Sequence, residues 1–228
     1  MSNWLKPIDI YCERQSDLFW AEPINAITNL SFIIAAYFIF TRSRSQYSFL
    51  LSGLLVMIGF GSFLFHTFAN RLTGLIDIAA IAIYMLTFAF LIPTQWQKRS
   101  ILIRLASILF LVFTIFVTSV LIRDLKPTMS WLPSGFYLGA WFTLIIYTFV
   151  TKYYQSPAAI YFAAATVIFT ISLISRQLDG PLCEQIGGTH WLWHILNGLT
   201  LYLCTYGLCR PRNSSKRLLK SELACQTK

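Results

Sequence analysis

Charge is what this chain has least of. Asp, Glu, Lys and Arg make up 12% of 228 residues, against 56% hydrophobic residues and a mean hydropathy of +0.61. An aqueous domain carries about 25% charged residues, so this composition excludes a soluble globular protein and places the chain in a bilayer. Acids are scarcer than bases, nine against 18, and histidine occurs three times. There is no internal repeat, no low-complexity tract and no second domain. The first 23 residues lack the basic head and apolar centre of a cleavable signal peptide. They hold Asp9, Glu13, Arg14, Asp17 and Glu22 instead, so the amino terminus is expected to remain in the mature protein. No aromatic-rich soluble platform accompanies the net charge of +9, which argues against nucleic-acid binding and for a topology signal.

Long apolar runs are abundant. A helix needs about 20 residues to cross about 30 Å of hydrocarbon, and residues 24–41, 48–68, 73–92, 101–122, 131–150, 158–174 and 189–208 qualify. The expected fold is an all-α membrane protein: a seven-transmembrane helix bundle forming one domain, 1–228, with short connections and antiparallel neighbours. The carboxy-terminal side carries 12 Lys and Arg with one acid, Glu222, whereas the other side carries six with seven acids. The bias of Lys and Arg toward the cytoplasm then puts residues 1–23 outside and the basic tail, 209–228, inside. Asn213-Ser214-Ser215 fits a glycosylation sequon but falls inside, where it stays unused.

The three histidines lie in or at the ends of apolar runs. His190 and His194 are four apart, so on a helix both face one point. Gly187-Gly188-Thr189 before them is a turn with Thr189 in N-cap position, and a helix N-terminus disfavours imidazolium, keeping the rings able to ligate. His66 ends the second run, and Asp77 is the only carboxylate in the middle of any long apolar run. The expected topology brings all four to the outer surface, with Ser62 one turn below His66 on the same helix face. Three imidazoles with an open fourth position point to a catalytic zinc. Simpler roles exist: His66 as an interfacial hydrogen-bonding residue, Asp77 as a partner of Arg71 or Asn25, and Ser62 as a small residue at a helix contact. An unpaired carboxylate in hydrocarbon is costly, and a bound cation is the strongest pairing available.

Cys12 and Cys183 both fall outside, where a disulfide can form, though two free thiols would also fit; Cys204, Cys209 and Cys225 fall toward the inside. Phe63, Phe65, Phe68, Trp191 and Trp193 could line an acyl channel or serve as packing and interfacial anchors.

The order Tyr11-Cys12-Glu13, Glu22 with Asn25 and Asn29, Ser62-Phe63-Leu64-Phe65-His66, Asp77, Asp179 to Cys183, and His190-Trp191-Leu192-Trp193-His194 resembles the alkaline ceramidase family, bacterial members in particular. That family lies within the superfamily of seven-helix membrane hydrolases that includes the adiponectin and progestin receptors. The resemblance implies that His66, His190 and His194 bind zinc, that Asp77 handles the proton of the attacking water, that Ser62 helps to hold the oxyanion, and that Cys12 pairs with Cys183. It also implies a calcium ion near the amino terminus, with Glu13 and Glu22 matching and Asp9 and Asp17 nearby. Here the chain departs from the pattern. Ile10 replaces an acid, Asp9 is displaced by one position, Gln15 stands where Asn is usual, and the gap between the glutamates is shorter. A solvated acidic face is the simpler account of Asp9, Glu13, Asp17 and Glu22.

The function expected is zinc-dependent intramembrane hydrolysis of the N-acyl amide of ceramide, or of another acyl lipid, near the outer, periplasmic face of a bacterial inner membrane. Membrane lipids are the partners implied, and no protein partner is. A heptahelical receptor with a structural zinc is the rival class. A proton-coupled transporter is weaker, because Asp77 is the only central carboxylate.

Overall fold

The computed structural model describes residues 3–43, 45–98, 100–125 and 132–211. Trp131, expected to open the fifth run, lies outside them. So do Arg44, Arg99, Lys126, Arg212, Lys216, Arg217, Lys220 and Lys228 of the charge count, Glu222, Cys225 and the Asn213 sequon.

The described residues form α-helices joined by short turns, with no strand beyond an isolated bridge between Pro7 and Asn70. In chain order these are α1 (Pro23–Thr28), α2 (Leu30–Arg42), α3 (Gln46–Phe68), α4 (Arg71–Leu91), α5 (Ile101–Leu125), α6 (Gly135–Tyr153), α7 (Ala159–Gln177), α8 (Cys183–Ile186) and α9 (His190–Cys209). Short 3-10 turns lie at Asn3–Leu5 and Ile92–Trp96. Each of the seven apolar runs is helical over most of its described residues. Five helical segments, Pro23–Arg42, Gln46–Phe68, Arg71–Trp96, Ile101–Leu125 and Ala159–Gln177, are long and apolar enough to cross a membrane.

Helices α6 and α9, of 19 and 20 residues, match α7 in length and also carry polar side chains. Those polar groups point inward: Thr143 and Thr151 of α6 and His190, His194, Thr200 and Thr205 of α9 are all buried. Lipid-type surface appears on the opposite faces. On α5, Leu102 is 73% and Leu109 67% exposed, with Phe113 and Phe116 alongside. Apolar exposure this extensive does not suit an aqueous monomer.

Packing runs α2–α3–α4–α5–α6–α7–α9 and returns from α9 to α2, so the long helices close a ring. At one end the α3–α4 link is only Ala69 and Asn70. Ala69 adopts a left-handed conformation (φ 40°), and Asn70 starts α4 with a reciprocal capping box to Thr73. The amino-terminal segment lies on that link, with Ile8 N–H donating to Ala69 O at 2.8 Å. Chain reversal in two residues sets the end of α3 and the start of α4 at one depth.

Candidate metal centre

His66 sits in the last turn of α3, Ser62 one turn earlier, Asp77 in the second turn of α4, and His190 and His194 in the first turns of α9. Helices α3 and α4 are close here: a Cβ on Gly61 would lie 3.4 Å from the Asp77 Cα. The ring brings α9 against both α2 and α3. The three imidazoles, each no more than 2% exposed, meet with centroids 4.6 Å (His190–His194), 4.7 Å (His66–His194) and 5.2 Å (His66–His190) apart. Each offers a nitrogen within 4.8 Å of the others, and among the described residues no other three His, Cys, Asp or Glu side chains gather in this way.

Hydrogen bonds decide which nitrogens are free. His66 Nδ1 lies 2.6 Å from Glu22 Oε2, and a carboxylate only accepts, so this nitrogen carries the proton and Nε2 keeps its lone pair. The Thr28 hydroxyl donates to Ile24 O at 2.8 Å, so it accepts from His194 Nδ1 at 3.0 Å, and again Nε2 is left for a metal. These tautomers are assigned from the network. Carboxylate and hydroxyl partners of this kind orient ligating histidines and raise their basicity. His190 Nδ1 is buried with no hydrogen-bond partner among the described residues, and the Tyr11 ring stacks on this imidazole at 3.6 Å.

Asp77 faces the same space. It is bonded to Ser62, and its Oδ1 is buried without a partner. Arg71 bonds Asn3 and Asn25 bonds Glu22, so neither pairs with Asp77. Buried Asp77 Oδ1 and His190 Nδ1, both without a partner at three converging imidazoles, suit a cation and its water. The residues present fit a metal ion.

The amino-terminal segment closes this end of the ring. The Cys12–Cys183 disulfide is present, with Cα atoms 5.4 Å apart. Beside it Asp179, whose role the sequence did not disclose, binds three N–H groups: Thr189 and His190 through Oδ1 (2.8 Å each) and Cys12 through Oδ2 (3.0 Å). Thr189 is the N-cap residue of α9, as expected, but its hydroxyl donates to Ser175 O instead, and the cap comes from Asp179. Gly188 is required there, because its φ is +85° and a Cβ would lie 2.5 Å from Asp179 Oδ1. Opening the disulfide with Cys12→Ser is expected to cost about 2–5 kcal/mol of stability. The check is the melting temperature of the variant against that of the unreduced protein.

From the histidines a cavity runs into the bundle along one face of α9, touching His190, Trp193, Asn197, Thr200 and Cys204. From His190 to Cys204 the helix axis advances about 21 Å. Beyond Ser62, Asp77 and the histidines the cavity walls are largely apolar, including Phe32, Ile58, Met85, Leu111 and Phe169. Trp193 is the one member of the expected aromatic channel that lines it. Phe65 packs edge-on against Tyr11, Phe63 and Phe68 pack against Trp20 and Phe19, and Trp191 is absent from the walls.

Of the acids proposed for calcium, Glu13 and Glu22 both bond Asn25, whereas Asp9 and Asp17 have no part in that network. Glu13 accepts from the N–H groups of Ile24 and Asn25 (2.7 and 2.8 Å) and so caps α1, while Asp9 and Asp17 are exposed. Glu22, 3% exposed, is shared among Arg14, His66 and Asn25. Burial opposes its ionisation, but His66, Asn25 and Arg14 together hold its carboxyl below the usual glutamate range. Calcium takes six to eight oxygen ligands, and these oxygens are already engaged. The residues present do not fit calcium.

Apolar helices closed around a buried cluster of three histidines and an aspartate make a helical, membrane-type protein with a cluster that could hold a metal ion. The chain belongs to the ceramidase family, whose model matches residues 10–217. It is thus a ceramidase-like hydrolase. No curated protein and no solved structure matches it.

Proposed function

We propose that this protein is a zinc-dependent intramembrane amidase that cleaves the N-acyl amide of ceramide, or of a closely related lipid, to a sphingoid base and a fatty acid. The observation that carries the reading is the meeting of three buried ring nitrogens with the unpartnered Asp77 oxygen at the polar head of a long apolar cavity. Zinc suits three neutral imidazoles, and when bound it supplies a Lewis acid that polarises the acyl carbonyl and acidifies water.

The remaining work belongs to the chain. Glu22 and Thr28 hold the rings of His66 and His194 in the ligating tautomer. Asp77 takes a proton from water as the water oxygen bonds to the acyl carbon, then passes it to the amide nitrogen as the C–N bond breaks. One water is consumed and one acid and one amine are formed. Ser62 steadies Asp77 and offers its hydroxyl to the carbonyl oxygen as charge develops there, a contribution worth about 2.7–4 kcal/mol at comparable sites. The cavity walls take the acyl chain and exclude water from it.

In this reading residues 1–228 form one domain, all seven helical runs span the bilayer, the amino terminus is outside and the tail is cytoplasmic. The membrane is the bacterial inner membrane, with the site near its periplasmic face. Support comes from the Lys and Arg asymmetry and from a disulfide at the same end as the site.

The test is purified protein with labelled N-acyl lipids, products identified by mass spectrometry, beside His194→Ala. Free fatty acid and amine are expected from the native protein only. With zinc bound and no release above the variant, the reading fails and a receptor with a structural metal takes its place.

A further inference from the structure

Arg14 is 6% exposed, and three of its N–H groups are spent on oxygens close to the metal centre. Nε donates to Glu22 Oε1 at 2.5 Å, Nη2 to the His66 carbonyl at 3.0 Å and Nη1 to the Ser16 carbonyl at 3.0 Å. A carboxylate and two carbonyls converging on one positive charge form the oxygen set that a hard divalent cation would otherwise collect. Glu22 in turn receives the His66 N–H. The guanidinium therefore neutralises the carboxylate that orients a metal-ligating ring, and it fastens the amino-terminal segment to the end of α3.

We propose that Arg14 is a built-in cation that takes the place of calcium in this chain and acts as a positioning residue for the metal centre through Glu22. Its planar fork satisfies three fixed acceptors at once, which a single ammonium cannot match. Its charge persists at any physiological pH and needs no ion from outside. The consequence is a hydrolase whose fold and metal affinity do not respond to external calcium. The inference rests on the three histidines as a metal site, but not on any particular substrate.

The experiment compares native protein, Arg14→Ala and Arg14→Lys in calcium-stripped buffer with zinc buffered at a fixed level. Bound calcium, zinc affinity by chelator competition, and melting temperature with and without millimolar calcium are measured. The native protein is expected to carry no calcium and to melt at the same temperature in both buffers. Arg14→Ala is expected to bind zinc about 10-fold more weakly, the lower end of the range for outer partners of a metal ligand, and Arg14→Lys to recover part of that loss. One calcium retained per native chain, a native melting temperature raised by calcium, or undiminished zinc affinity in Arg14→Ala would overturn the proposal. If Arg14→Ala does not fold, the native calcium titration and the Arg14→Lys zinc affinity decide. All of these readouts are independent of substrate, so a chain inactive on every N-acyl lipid leaves the result interpretable.

Discussion

Asp77→Asn is expected to slow amide hydrolysis by about 10²–10⁴-fold, the usual worth of a positioned general acid–base group. The change is nearly isosteric. An amide keeps a hydrogen bond to Ser62, so the α3–α4 contact survives, and none of the three metal-ligating imidazoles is touched. What disappears is the group able to accept a proton from water and return it to the amine. Bound metal and melting temperature should match the native protein while kcat collapses and substrate binding holds. A rate within a few-fold of native would remove Asp77 from the chemistry and leave it a structural neighbour of Ser62.

Glu22→Gln is expected to weaken zinc binding by about 10–100-fold, the range measured for outer partners of metal ligands. The neutral amide can still accept the His66 N–H, but it no longer raises the basicity of that ring. The same substitution leaves the Arg14 guanidinium buried without its counter-charge. Removing one member of a buried pair typically costs about 3–5 kcal/mol, so the melting temperature should fall as well. Chelator competition and thermal melting, run on one preparation, separate the two effects. Zinc affinity equal to native alongside a lowered melting temperature would mean that Glu22 serves the fold alone.

Much of this arrangement was legible from residue order. The i, i+4 spacing of His190 and His194, the position of His66 at the end of an apolar run and the lone carboxylate Asp77 within another are local features, and the structure brings the four to one end of one ring. Lys and Arg asymmetry suggested the same grouping before any packing was known. Cys12 and Cys183, which the charge bias puts on one side and the family resemblance pairs, are disulfide-bonded. Other residues take roles that their order along the chain does not show. Glu22 read as a calcium candidate, yet it orients a histidine 44 residues away. Thr189 read as the cap of α9, yet the cap is supplied by Asp179. Of the aromatics next to the histidines in sequence only Trp193 lines the cavity, whose wall follows one face of α9 and gathers Phe32, Leu111 and Phe169 from other helices.

Apolar run length and helical periodicity are properties of a continuous stretch of chain, because hydrocarbon thickness and 3.6 residues per turn act on neighbours. That is why the all-helical architecture and the histidine pair are written in the sequence itself. Which carboxylate meets which ring, what Arg14 binds and where the cavity runs depend on how α9 returns to α2 and how the amino-terminal segment is drawn over the ring's end. Such contacts reach far along the chain: Asp179 bonds Cys12 across 167 positions. No local pattern encodes them, since a buried polar group is satisfied by whichever partner packing delivers.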